Sequence, residues 1–314
     1  MRYAGRKLFT MLVTLFAVTL FVFLSFHVIS GDPATSMLGT EATPARLQAL
    51  REELGLNDPV LVQYGRWAVS FLTGDMGTSY SYRMPVGEMV INKIPVTMTL
   101  TIMAFFMMVA ISIPLGIYTA KHAGGVIDRG IYIVNQIIMA FPPFFSGILI
   151  TLLFGRIFKL FTPGGYVSYE KSFVDFAGYL FFPALAIALP KAAMAVKLLR
   201  SSVISESKLD YVRTAYSRGN KTGDVLYRHV LKNALIPVVT FLGMALSDMI
   251  AGSIIIEQVF SIPGLGRILL TSISNRDYPV VMAVIVCIAV LVLVVNMLVD
   301  LIYGWIDPRI SVEE

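Results

Sequence analysis

The sequence predicts an all-α, polytopic membrane protein, and three observations carry that prediction. Hydrophobic residues make up 56% of the chain and charged residues only 14%, against roughly 45–50% and about a quarter in soluble domains. The apolar residues gather in runs long enough for a helix to cross a hydrocarbon core, which takes about 20 residues. The intervening loops differ in their Lys and Arg content from one side to the other. The same composition excludes disorder and low complexity. The one cysteine, Cys287, lies in an apolar run, so a disulfide scaffold is excluded too.

About six spans are expected, over Leu8–Ile29, Thr97–Ala120, Ile131–Phe158, Gly178–Leu199, Leu235–Ile256 and Val280–Tyr303. The first follows Arg2, Arg6 and Lys7 as a signal peptide would. It exceeds a signal core of about 7–15 residues, and only Ser30-Gly31 faintly resembles a cleavage site, so it reads as a retained helix. The third carries Pro142-Pro143 near its middle, where two donors are lost and the preceding turn clashes, so it should kink or break.

The basic residues set the expected orientation. Arg2, Arg6, Lys7, Lys121, Arg129, Lys197, Arg200, Lys208, Arg213, Arg218, Lys221, Arg228 and Lys232 fall on one side. The other has Arg156, Lys159, Lys171, Arg267 and Arg276, and a first loop with five basic and seven acidic residues. Both termini are expected in the cytoplasm. The net charge of +5 reflects this bias; no aromatic-basic array of the nucleic-acid type occurs.

The chain divides into a first span (1–30), a helical subdomain (31–95), a membrane core (96–304) with a cytoplasmic loop (201–234), and a tail (305–314). In the subdomain, Thr43 should cap a helix with Pro44 first, a Leu47/Leu50/Leu54 stripe, and Gly55 as its stop. Asp58-Pro59 should open another, with Leu61, Tyr64, Ala68 and Phe71 on one face and Gly74 at its end. Such a subdomain is either a cap on the membrane core or a docking surface.

The 201–234 loop reads as a short amphipathic helix, a turn and a second helix. Leu209, Val212 and Tyr216 share a face, with Tyr211 and Ala215 beside it and Asp210 and Arg213 off it. Gly219-Asn220 suits a left-handed helix stop. Thr222 should cap the second run, which continues through Arg228 and His229 into the fifth span. The apolar face must be covered, by lipid headgroups or by a groove on a partner protein.

Polar residues within spans are costly and commonly face a cavity or a partner. Asn135, Gln136, Lys191, Asp248 and Glu257 are the candidates for a path, with Met244 as an adaptable wall. The alternative is hydrogen bonding between helices, or snorkelling, as for Asp300 near the end of the sixth span. Met249, Gly243 and Gly252 suit packing. His27, His122 and His229 have no metal-ligand spacing. Ser146-Gly147 lacks the neighbouring base that an intramembrane protease needs.

Several stretches together carry a resemblance. They are Gly31-Asp32-Pro33, Leu54-Gly55-Leu56, Pro59, Gln63-Tyr64 and Gly74-Asp75-Met76-Gly77-Thr78-Ser79. They continue with Asp210-Tyr211-Val212-Arg213-Thr214-Ala215, Gly219 and Arg228-His229-Val230-Leu231-Lys232-Asn233-Ala234. The last are Glu257, Phe260-Ser261-Ile262-Pro263-Gly264-Leu265-Gly266-Arg267, Arg276-Asp277-Tyr278-Pro279 and Asp307-Pro308-Arg309-Ile310. In this order they resemble ABC importer permeases of the peptide/nickel branch, the DppB/OppB type, with a MetI-like core. Arg213-Thr214 stand where the general coupling ("EAA") loop has Glu-Ala, and Lys232 where a proline is common.

The resemblance implies half of an importer channel in a prokaryotic inner membrane. Its partners would be a homologous second permease, two cytoplasmic ABC ATPases and an external solute-binding protein. The cargo would be di- or oligopeptides, or alternatively nickel or a metallophore. Leu209, Asp210, Tyr211, Val212, Arg213, Thr214, Ala215, Tyr216, Gly219, Arg228, His229 and Asn233 would form the coupling element. No G-x-x-x-x-G-K-[ST] occurs, so this chain would be no enzyme and hold no cofactor, with ATP and Mg bound by the ATPases. An ion-coupled secondary transporter is the other class, although no inverted repeat is evident.

Overall fold

A computed structural model describes residues 2–29, 33–38, 43–53 and 55–306. Leu54 and the stretches Gly31-Asp32 and Asp307-Pro308-Arg309-Ile310 lie outside them, as does the side chain of Leu50. Five described helices are long and apolar enough to cross a membrane, and a sharply bent pair makes up to six crossings. The chain forms two compact units, Met1–Val96 with Pro263–Glu314, and Thr97–Ile262.

In the first unit, α1 (Arg2–Ile29) is followed by α2 (Pro33–Leu38), α3 (Pro44–Glu53), α4 (Val60–Leu72) and α5 (Val86–Ile91). The Arg46 amide donates to Thr43 Oγ1 at 3.4 Å, and Gly55 takes φ +63° after α3, as the sequence implies. The buried face of α4 differs from expectation. Tyr64 is buried and Trp67 and Ala68 half-buried, whereas Leu61 is 71% exposed. The rings decide this: Tyr64 meets Phe16 and Phe23 of α1, and Trp67 meets Phe23. Thr19 and Tyr64 hydroxyls hydrogen-bond at 2.9 Å. Leu61 lies off that aromatic seam.

The unit is completed by α14 (Leu265–Ser274) and α15 (Tyr278–Ile306), after the second unit has intervened. Helices α1 and α15 pack antiparallel. Lys7 Nζ reaches Asp300 Oδ2 at 3.2 Å at one end, and Phe26 meets Tyr278 near the other.

A buried carboxylate fixes the loop before α5. Asp277, fully buried, accepts from Ser79 Oγ at 2.5 Å, the Tyr80 amide at 3.0 Å and the Ser81 amide at 3.2 Å. Arg83 turns the loop at φ +53°, and Thr78 bridges back to Pro85. Burial, and next the charge of Asp277, push the Tyr80 hydroxyl up to about 12.

The second unit begins within α6 (Ile94–Lys121) and holds α7 (Val126–Ala140) and α8 (Pro143–Ile150), the latter running on as a wide π-type turn over Thr151–Ile157. The axis turns by 106° between α7 and the segment Pro143–Ile157. Phe141 and Pro142 are extended, at ψ 131° and 149°, because a residue before proline is driven from the helical region. The expected break therefore falls at Pro142-Pro143. Then come α9 (Phe173–Glu206), α10 (Asp210–Ser217), α11 (Thr222–Asp224), a π-type segment over Val225–Val230, α12 (Leu231–Ala234) and α13 (Ile236–Val259).

Helix α9 is the spine, packing on α7, α8, α12 and α13. Its inner face is alanine-rich, with Ala184, Ala186, Ala188, Ala192, Ala193 and Ala195 buried. Leu199 meets Gly116 of α6 so closely that a Cβ there would fall 2.7 Å from it.

Asp277→Asn should loosen the 79–82 loop by about 1–3 kcal/mol, the cost of degrading a buried acceptor. Faster hydrogen exchange of the Tyr80 and Ser81 amides would register it. The Tyr80 titration should move only part of the way back toward 10, because burial is the larger cause. Since the folded value exceeds the unfolded one, Tyr80's contribution to stability is complete below pH 10 and is lost as pH rises through about 12.

Candidate functional site: a helical hairpin and a polar stripe in one unit

The hairpin is built from α10 and the α11–α12 run. Leu209 is extended at ψ 152° and starts α10. Gly219, at φ +81°, ends the turn after it, with Asn220 Nδ2 donating to the Ala215 carbonyl at 3.0 Å. The second run opens at Lys221, not Thr222, which is already helical and makes no capping bond. The π-type segment packs against α10, and α12 against α9.

The apolar face of α10 divides. Val212 and Ala215 are buried within the chain, near Val225, Leu226 and Val230 of the opposite arm. Leu209 and Tyr216 are 47% and 46% exposed, and Tyr211 is 36% exposed. The expectation of one face, Leu209/Val212/Tyr216, awaiting one cover is thus corrected. Val212 is already covered by the hairpin's own second arm, and the uncovered rim is Leu209, Tyr211 and Tyr216. Asp210, Arg213, Thr214, Gly219, Arg228, His229 and Asn233 are exposed around it, with Asp210 and Arg213 in an open i,i+3 pair at 3.6 Å.

Tyr211 braces the hairpin. Its hydroxyl donates to Glu206 Oε1 at 2.7 Å and accepts from Asn233 Nδ2 at 3.2 Å. Burial and the Glu206 bond hold that hydroxyl above the ordinary tyrosine range. One phenol thereby joins the end of α9, the start of α10 and the end of α12. Lys121 of α6 also lies over the Tyr227 ring, 5.5 Å from its centre.

Farther along α9, Arg200 makes a two-pronged pair with Asp128 of α7. Nε and Nη2 donate at 2.6 and 2.7 Å to the two carboxylate oxygens, and the Gly124 amide adds a bond at 2.8 Å. Asp128 is 3% exposed. This pair was not foreseen, because 72 residues separate its members and an arginine after a span reads first as an orientation signal.

The six path candidates part company. Lys191 of α9 and Asp248 of α13 form an ion pair at 2.7 Å, their side chains 25% and 64% exposed. Met244 is 58% exposed one turn before Asp248. Gln136 is exposed and lies 3.5 Å from Lys197 Nζ. Asn135 and Glu257 are buried. Glu257 accepts from Thr97 Oγ1 at 2.6 Å and has no exposed surface, so it ties α13 to α6 and forms no open wall. On α13 the exposed positions Thr240, Met244, Asp248, Ala251 and Ile255 make one stripe, opposite buried Val238, Leu242, Ala245, Met249 and Ile256. Two open grooves, of about 400 and 630 Å³, lie elsewhere and include neither Lys191 nor Asp248.

Arg200→Met should cost on the order of 3 kcal/mol, because it strands a buried carboxylate. Thermal unfolding in detergent would show it. Asp128→Asn should cost less, since the partly exposed Arg200 can be solvated.

Comparison with known proteins identifies the family. Residues 112–312 match the family described as the binding-protein-dependent transport system inner membrane component. Residues 1–101 match the N-terminal model of such membrane components. The chain is 35% identical to the oligopeptide transport system permease protein AppB of Bacillus subtilis, over 98% of this chain and 99% of that one. It is 33% identical to a probable peptide ABC transporter permease protein, y4tP, of Sinorhizobium fredii, over 98% of each. It is 31% identical to the dipeptide permease DppB of Escherichia coli, over 99% and 98%. The buried Ser146 accordingly belongs to a transport component and not to a protease. The chain belongs to the binding-protein-dependent transport family, as a polytopic permease subunit of an ABC importer.

Proposed function

We propose that this chain is one of two homologous permease subunits of an ATP-driven importer of short peptides, set in the inner membrane with both termini in the cytoplasm. The relatives named for peptide, oligopeptide and dipeptide transport support the cargo. The basic bias of the loops supports the orientation. An external binding protein delivers the peptide, and two cytoplasmic ATPases, holding ATP and Mg, drive the cycle.

One observation carries the coupling role: a hairpin whose interior is packed keeps Leu209, Tyr211 and Tyr216 open at its rim. A free headgroup anchor needs no such internal packing. A lever does, because force applied at the rim must reach α9 and α13 undiminished. The rim residues, with Asp210, Arg213, Thr214 and Gly219, seat in an ATPase groove in the helix-in-groove manner. Val212 and Ala215 hold the two arms together, and Arg228, His229 and Asn233 flank the second. When the ATPases close on ATP, the hairpin carries α9 and α13 between two states, a switch biased by a ligand bound elsewhere. Lys191, Asp248, Met244 and Gln136 lie on the path; Asn135 and Glu257 set the helices that carry it.

Leu209→Asp with Tyr216→Asp should abolish ATPase binding while leaving the permease folded. Val212→Asp should instead destabilise the hairpin by several kcal/mol, as a charge put into a packed apolar site does. Co-purification of the ATPases, read beside thermal unfolding, separates the two. Normal ATPase retention in the rim variant would refute the coupling role.

A further inference from the structure

The Lys191–Asp248 pair is placed where a structural ion pair is least expected. Asp248 is twelve residues from the start of α13 and eleven from its end. At about 1.5 Å per residue it lies within a few ångströms of the helix midpoint, and so near the middle of a hydrocarbon layer of about 30 Å. Yet its side chain is 64% exposed, and that of Lys191 25%. Carboxylates at that depth cost about 2.5–3.5 kcal/mol against lipid, so this stripe faces a polar space or a protein, not hydrocarbon.

Exposed methionines adjoin the pair along both helices. Met244 precedes Asp248 by one turn and Met194 follows Lys191 by three residues; both are exposed on the same faces as the charges. Flexible thioethers accommodate varied shapes. The only described salt-bridge contact of either charge is the other, a single bond from Lys191 Nζ to Asp248 Oδ2. Arg200 and Asp128 offer the contrast: a two-pronged pair with a third bond, on a carboxylate that is itself 3% exposed where Asp248 is 64% exposed, suited to permanence. A single-pronged, half-open pair is suited to exchange.

We propose that Lys191 and Asp248 form an exchangeable pair that receives the two ends of a zwitterionic cargo, carboxylate at Lys191 and ammonium at Asp248. The inference rests on the peptide-import reading above and names the residues that would meet the cargo. Without cargo the two charges neutralise each other. A free-ended peptide substitutes one opposite charge for each, so the net charge at mid-depth stays zero throughout. A peptide with one blocked end leaves one of the two unpaired.

The test uses the whole transporter, with second permease, ATPases and binding protein, in proteoliposomes. The probes are trialanine, its C-terminal amide and its N-acetyl derivative, each at concentrations that saturate the binding protein as measured separately. Wild type should take up trialanine about tenfold faster than either blocked form, the scale of one charge-assisted bond. Lys191→Met should erase the preference over the amide and Asp248→Asn the preference over the N-acetyl form. The double variant Lys191→Met/Asp248→Asn, which strands no charge, should assemble normally and take up all three alike. Equal loss for all three probes in each single variant would overturn the proposal and leave the pair a contact within or between permeases. Preferences unchanged in the double variant would overturn it as well. Failure of wild type to import any of the three would overturn the peptide reading itself.

Discussion

A carboxylate carried on a membrane helix, at its middle or near its end, must be bonded to a partner or face a polar space, and the second unit is arranged around that constraint. It answers it in three ways. Asp128 is enclosed and doubly bonded to Arg200. Glu257 is enclosed and bonded to a threonine hydroxyl. Asp248 is paired with Lys191 but left open. The first two fasten helices to one another. The third leaves its surface available, on the exposed stripe of α13 that also carries Met244.

The first unit applies the same economy outside the spans. Asp277 gathers a hydroxyl and two amides from a loop nearly 200 residues away in sequence. That one carboxylate replaces the sheet or long helix that would otherwise be needed to order residues 79–82.

Much of this was legible in the sequence, where the determinants are local. Hydrophobic length located the crossings, and Pro142-Pro143 located the bend. Thr43 and the glycines at 55, 74 and 219 marked helix ends, because a cap or a positive φ is decided within a few residues. What the sequence could not yield is pairing across distance. Nothing near Arg200 announces Asp128, and nothing near Asp277 announces Ser79. The error at Leu61 and the divided face of α10 have one cause. A helical wheel tells which residues share a side, but the neighbour decides which side is covered: an aromatic seam on α1 selected Tyr64 and Trp67, and the second arm of the hairpin claimed Val212.

The 106° corner at Pro142-Pro143 has a mechanical consequence. A straight rod in a membrane can slide along its own axis like a piston. A rod folded into an elbow cannot, because one limb would have to plough sideways through whatever surrounds it. With α7 pinned to α9 by Arg200 and α8 packed on the same helix, pistoning is closed to this half of the chain. The packed block can still turn or tilt as one piece.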